Sequence, residues 1–496
     1  MSNPAPLTRF HDPAFRREAA VIALLCLIML LKGALWSLAF PLWQGPDEDD
    51  HYAVVQFIAE TGRLPDAADD RLPDEVALSR IFADVGRLDY APEQRQPFSD
   101  SDTAPGELAF QTVDPALRRS FDLGTVGKLM TATPLWYLLA TPVYHLFADG
   151  DLLVRAHALR LFAVLVSSPI VVIAWLITAR LFPHNRPMRL TIPFLVTFHP
   201  MITAISAVVS VDGLFFVVYS LLLLLGMRIV QHGLDRATAI AIGLLFAAGL
   251  LIKPTINGVA PVIAFAVLLD WLRRPAARRA IFGRSLLMVA VMLPPIAWWM
   301  VRSLRINNDL LYFNPVEKGH RILQQPFYDY TVWQHALDYW QSVFGGIFVT
   351  WWAHFGWLDT PIDPRIYTVL RLLTLLALVG LFLRLGRWLR QRPASRPLWQ
   401  ETTLWLWAIL ALAVLLPVVL LQGYDLTFWW EYGNGRGLQG RYWLGTVIPM
   451  LLLWCVGLLA WLPARLHTSF HLAVRAGMVV LNSAGLLLWI VPRYFL

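Results

Sequence analysis

The apolar run Val21-Ile22-Ala23-Leu24-Leu25-Cys26-Leu27-Ile28-Met29-Leu30-Leu31 continues, with one interruption at Lys32, to Trp43 and then meets Gln44-Gly45-Pro46-Asp47-Glu48-Asp49-Asp50-His51. An apolar stretch of that length is a membrane-spanning helix by the thickness of the bilayer core. Its exit is unusual, because carboxylates cannot snorkel as Lys and Arg do, and four of them with an imidazole at a membrane surface mark a functional site before a structural one.

Composition places the rest of the chain in the same class. Of 496 residues, 57% are hydrophobic and only 15% charged, with 22 Trp and 27 Phe, the profile of a polytopic membrane protein. The net charge of +7 rests on 41 basic residues that fall in short clusters between apolar segments, a pattern of membrane topology and not of nucleic-acid binding. The two cysteines, Cys26 and Cys455, lie in apolar runs without metal-site spacing and imply no disulfide framework. Residues 1–18 carry Arg9, Arg16 and Arg17 ahead of the first apolar run with no small-residue cleavage site, which predicts a cytoplasmic amino-terminal segment and a retained anchor.

Segments long enough to span lie near 19–42, 152–181, 189–210, 213–231, 237–252, 256–272, 281–301, 366–385, 402–422, 442–463 and 468–491. The clusters around Arg180, Arg228, Arg273, Arg384 and Arg465 belong inside by the positive-inside rule. With the amino terminus also inside, the stretch 43–180 must cross an odd number of times. Residues 131–148 are therefore a re-entrant or interfacial helix, and the expected architecture is an all-α integral membrane bundle of about eleven spans, within 10 to 13.

This topology puts two long polar segments outside, 44–131 and 303–365, as a small helical cap on a single transmembrane domain covering 19–496. The first holds 18 of the 34 acidic residues and has no alternating apolar pattern for a sheet. The same face collects Asp47 and Glu48 after the first span, Asp212 in Ser210-Val211-Asp212-Gly213, Lys253, Arg302, and Gln439-Gly440-Arg441-Tyr442. Carboxylates facing Lys and Arg beside a membrane suit chemistry on a phosphate-linked lipid. The acids would activate a hydroxyl or hold a divalent cation such as Mg or Mn, and the bases would stabilise a departing phosphate.

These residues carry a resemblance. Trp43-Gln44-Gly45-Pro46-Asp47-Glu48, with His51 three residues later, resembles the first outer loop of the GT-C membrane glycosyltransferases, which include protein O-mannosyltransferases and the aminoarabinose transferases of lipid A. It is most similar to a bacterial branch of unknown function with a Pro-Asp-Glu-x-x-His motif. Three later stretches fit that branch: Ser210-Val211-Asp212-Gly213, where the branch more often has Asn-Pro-Asp; Phe355-Gly356-Trp357-Leu358-Asp359-Thr360-Pro361; and Gln439-Gly440-Arg441-Tyr442.

The resemblance implies an inverting transfer of sugar from a polyprenyl-phosphate donor to an acceptor hydroxyl, on a glycolipid, polysaccharide or protein, at the outer face of a bacterial inner membrane. By carry-over, Asp47 and Glu48 supply the general base and a metal ligand, Asp212 matches a second outer acid and Lys253 a basic residue after a middle span; on the shared face Asp47 and Asp212 with His51 are the candidate metal ligands, and Lys253, Arg302, Gln439 and Arg441 the candidate substrate-binding residues. Lys128 resembles the basic residue ahead of the Pro-rich helix of the aminoarabinose transferases, at a longer spacing, and Asp359 is a further acceptor-binding position.

Each residue also has a structural reading. Asp47 to Asp50 could complement the amino end of a helix over 49–60, His51 could make an ordinary hydrogen bond, and Asp212 could cap a turn. Lys253 and Arg302 could snorkel, whereas Arg441, basic on the outer side, fits a lipid-phosphate contact. Lys32, roughly 15 Å below the acids, has no catalytic role and should pair within the bundle or face water. Trp351, Trp352 and Trp357 read first as an interfacial belt, with sugar stacking as the other use of such rings. Two other functional classes fit the same composition, a transporter or flippase of lipid-linked glycans and a non-catalytic partner in envelope polysaccharide assembly.

Overall fold

The structure is a computed structural model, and it describes residues 13–66, 68–83, 85–88, 91–95, 113–123, 127, 132–307, 332–392, 397–432 and 438–496. Among them, nine helices are long and apolar enough to cross a membrane: Phe15–Ala39, Leu152–Leu181, Asp212–His232, Pro254–Arg273, Pro275–Ile306, Pro364–Gln391, Thr402–Gly423, Gly440–Leu459 and Ala464–Tyr494. The pair Arg186–Phe198 and Pro200–Ser206, bent by 51° at His199, makes a tenth if counted as one broken span. Pro200 has no N–H to continue the hydrogen-bond ladder, so the helix breaks ahead of it.

The expected count of about eleven included 237–252. That segment is the helix Arg236–Ile252, 17 residues or about 25 Å long, at the short end for a span, and it brings Lys253 back to Asp212 at the start of the central helix. The segment at 131–148 forms the 12-residue helix Leu135–Leu146, too short to span and packed on the helix Glu48–Thr61. The first helix begins at Pro13, inside the segment expected to precede it.

Burial sorts the spans into layers. Asp212–His232 and Gly440–Leu459 are 78% and 72% buried over their most apolar windows, against 11% for Pro275–Ile306. The first two form the centre of the bundle, and the last turns most of its apolar surface outward, as lipid-facing helices do. Glycine permits the closest approach at the centre. A Cβ on Gly213 would meet Ser167 Oγ at 2.2 Å, so glycine lets the central helix lie against Leu152–Ser167 with the Ser167 hydroxyl where it is.

Within 44–131 the described residues form the helices Glu48–Thr61, Asp74–Phe82 and Val85–Leu88 and a 3₁₀ turn at Pro115–Arg118. This segment is tied to the bundle by Arg155, a buried residue of the second span that donates to Glu75 Oε1 at 2.5 Å and to Tyr144 Oη at 2.6 Å. In the second outer segment the helix Val332–Trp352 leads into a small antiparallel hairpin, with His354 opposite Pro361 and Phe355 opposite Thr360.

Candidate functional site

The first span ends at Ala39, and the chain turns into the helix Glu48–Thr61 through two non-glycine residues in the left-handed region, Trp43 at φ 63° and Asp47 at φ 59°. Asp tolerates that conformation and Trp does not, so the turn needs external support. Trp43 Nε1 donates to Ser79 Oγ at 2.8 Å, Trp357 Nε1 donates to Trp43 O at 2.9 Å, and the Trp43 ring packs 5.2 Å from Tyr52. Gly45 is required as well, because a Cβ there would stand 2.7 Å from Val208.

The four acids of the motif then part company. Glu48 is fully buried and receives Arg160 through Nε at 2.6 Å and Nη2 at 2.7 Å, with the Val209 N–H adding a third bond at 2.9 Å. Arg160 spends its remaining donors on the carbonyls of Ser37 and Phe40, both at 2.7 Å, and Pro41 at 2.9 Å. All five guanidinium N–H groups are thus used, and Glu48 has no face open to a substrate. Asp49 pairs with Arg80 of the cap helix Asp74–Phe82. Asp49 and Asp50 both lie in the first helical turn, where acids favour the helix dipole. Asp47 alone keeps a side chain 25% exposed, and it pairs with Arg441 Nη2 at 2.5 Å.

Arg441 arrives from the far end of the sequence because Gly440 permits it. A Cβ on Gly440 would lie 2.1 Å from the Trp351 nitrogen, and the Gly440 N–H donates to Thr350 Oγ1 at 2.6 Å. The guanidinium also donates to Pro46 O at 3.3 Å, and its Nε is buried without a hydrogen-bond partner among the described residues, as is Gln439 Oε1. Asp212, first residue of the central helix, pairs with Lys253, which follows the short helix Arg236–Ile252. The ammonium of Lys253 lies 4.9 Å and the guanidinium of Arg441 5.4 Å from the ring of Tyr442. Two acid–base pairs are therefore joined around one aromatic ring.

His51 lies within their field. Its Nδ1 meets Tyr137 Oη at 2.9 Å. Burial pushes the imidazole down to about 4, with Asp47 and Asp212 pulling it up and Lys253 and Arg441 pushing it further down. Burial also raises the Tyr137 phenol well above its ordinary value, and Asp50, Asp47 and Asp212 add to the rise. His51 is neutral at neutral pH.

Other expected positions lie elsewhere. Arg302 donates to Pro65 O at 2.6 Å and stacks over Trp299, so it holds a cap loop. Asp359 is buried, accepting from Thr360 Oγ1 at 3.0 Å and facing Arg493 Nη2 at 3.3 Å, which leaves it no surface for an acceptor sugar. Trp351, Trp352 and Trp357 are buried and do not form an interfacial belt; the first two pack against His199. Lys32 donates to Thr197 O and Thr203 Oγ1, both at 2.5 Å, at the bend of the broken span. There it serves a carbonyl that a continuous helix would have paired. Lys128 lies outside the described residues. Among those residues, no group of three or more His, Cys, Asp or Glu side chains could hold a metal ion, so Asp47, Asp212 and His51 do not form a metal cage.

The residues that sequence reasoning missed are Arg160, Tyr137 and Arg80. Arg160 carried a legible signal, a guanidinium inside an apolar segment, which demands a buried partner. Tyr137 and Arg80 carried none.

Comparison with known proteins follows from this geometry. The structure is similar to the Archaeoglobus fulgidus oligosaccharyltransferase in its apo form (TM-score 0.46, 12% identity, 94% of this chain and 56% of that one). It is similar to ArnT from Cupriavidus metallidurans bound to undecaprenyl phosphate (0.43, 14%, 93% and 64%). A third likeness is to the Archaeoglobus fulgidus oligosaccharyltransferase AglB with an inhibitory peptide and a dolichol-phosphate (0.40, 12%, 93% and 55%). The chain spans less than two thirds of the length of each, and scores of this size carry no inference about chemistry. No curated protein matches the chain. Residues 30–453 match the family of predicted membrane proteins designated DUF2142, and the chain belongs to that family.

Proposed function

We propose that this protein is a membrane glycosyltransferase of the GT-C kind, moving a sugar from a polyprenyl-phosphate donor to an acceptor hydroxyl at the outer face of a bacterial inner membrane. The observation that supports it best is the joined pair of ion pairs, Asp47 with Arg441 and Asp212 with Lys253, around Tyr442. Both cations are fixed where a lipid phosphate could replace a carboxylate as their partner.

In this reading Asp47 is the general base, because it is the acid of the motif that keeps an exposed face. It takes the proton of the acceptor hydroxyl as that oxygen bonds to the anomeric carbon. The bond from that carbon to the phosphate oxygen breaks on the opposite side, the electron pair leaves with the phosphate, and the configuration inverts. Arg441 and Lys253 stabilise the charge that collects on the leaving group, and Asp212 holds Lys253 in place. Glu48 and Arg160 position the turn that carries Asp47. The acceptor is a glycolipid, polysaccharide or protein hydroxyl.

The test is sugar transfer by the full chain reconstituted in vesicles with a panel of radiolabelled polyprenyl-phosphate sugars and extracted acceptor fractions. Wild type is expected to transfer, and Asp47→Asn to bind donor without turnover. Lipid movement between leaflets with no transfer from any donor would replace this reading with that of a flippase.

A further inference from the structure

We infer that this site handles phosphate without a divalent cation, with Arg441 and Lys253 standing in its place; the inference rests on the proposed function only for the chemistry that follows phosphate binding. A catalytic metal needs carboxylates open to it, and here Asp47 and Asp212 each already face a fixed cation. Asp47 meets Arg441 at 2.5 Å, and Asp212 meets Lys253. Of the neighbouring acids, Glu48 is clamped by Arg160 and Asp49 by Arg80. Among the described residues no group of three suitable side chains is left.

A dication bound by Asp47 and Asp212 would stand beside a guanidinium and an ammonium and would take their anions from them. Arg441 is 5% exposed and Lys253 partly buried, so both would be left as uncompensated charges out of water. A phosphate makes the opposite demand. It accepts from both cations, and Arg441 Nε is a buried donor with no partner among the described residues, ready for one more oxygen. The Tyr442 ring holds both cations to one place before any ligand arrives.

The inference is tested on the metal-stripped full chain in phosphatidylcholine nanodiscs. Titration with Mn2+ is followed by the electron paramagnetic resonance of the free ion, with and without polyprenyl phosphate. Binding of polyprenyl phosphate is measured in parallel in EDTA. We expect Mn2+ to remain free at stoichiometric concentration. Polyprenyl phosphate should bind in EDTA, and Lys253→Gln and Arg441→Gln should weaken it by roughly 10- to 100-fold. One equivalent of Mn2+ bound by wild type and lost in Asp47→Asn, or lipid-phosphate binding that EDTA abolishes and Mg2+ restores, would overturn it. Phosphate binding in EDTA without sugar transfer under any condition would leave the metal-free site standing and remove the transferase reading.

Discussion

Glu48→Gln and Asp47→Asn should separate stability from chemistry although the two residues are adjacent. Glu48 has no exposed surface and accepts from Arg160 at 2.6 and 2.7 Å and from Val209 N at 2.9 Å. Glutamine keeps the volume, but its amide NH2 would face a donor where a carboxylate oxygen stood, and the Arg160 charge would lose its partner. Removing one side of a buried pair costs about 3–5 kcal/mol. Asp47 is 25% exposed, so water can partly take its place, but Arg441 is buried and loses its partner; the cost there is smaller than for Glu48 without being negligible. Thermal unfolding of the two variants in one detergent should therefore show a larger fall in Tm for Glu48→Gln than for Asp47→Asn. Turnover should fall by about 10²- to 10⁴-fold for Asp47→Asn, the usual worth of a positioned base. Folded Glu48→Gln should retain more of its kcat. If Glu48→Gln keeps the wild-type Tm and loses turnover as deeply as Asp47→Asn, Glu48 is a chemical group and the assignment fails.

Other outcomes follow from the same geometry. Gly440→Ala would bring a Cβ to 2.1 Å from the Trp351 nitrogen, so the backbone must move; overpacking of this kind costs about 1–3 kcal/mol and should displace Arg441, raising the donor KM in transfer assays. Arg441→Gln should lower turnover by about 10²- to 10³-fold through loss of charge stabilisation, with guanidinium added to the buffer tested for partial rescue. His51 has its folded value at about 4 against an ordinary 6.5, so the unfolded chain binds the extra proton first as pH falls. Stability should then drop between about pH 6.5 and 4 by about 3 kcal/mol, complete below the folded value. His51→Asn should flatten that part of the Tm profile against pH, and an unchanged profile would contradict the assignment.

Much of this site was legible before any coordinates. Asp47, Asp212, Lys253 and Arg441 were all placed on one membrane face by counting spans and Arg clusters, and the structure brings the four around Tyr442. Asp49 and Asp50 read as helix-start residues and stand in the first turn of Glu48–Thr61. The same reasoning treated Glu48 as the chemical twin of Asp47, because adjacency in sequence says nothing about which carboxylate an arginine 112 residues away will reach. Arg302 and Asp359 were grouped with the site because they share its face, but carbonyls of the cap loop hold one and Arg493 holds the other.

The division has a physical cause. Spanning helices are set by the transfer of a local run of side chains from water to hydrocarbon, a sum over neighbours in sequence, so 15–39, 212–232 and 440–459 could be read from the chain alone. The acid motif at the end of the first span follows from the same sum. Burial of a charge depends instead on where distant helices cross, and that depends on glycines such as Gly440 admitting contacts that any side chain would block. Only the tertiary structure therefore decided that Arg160 closes over Glu48, that the tryptophans of 351–357 turn inward, and that Asp47 is left with a face to the outside.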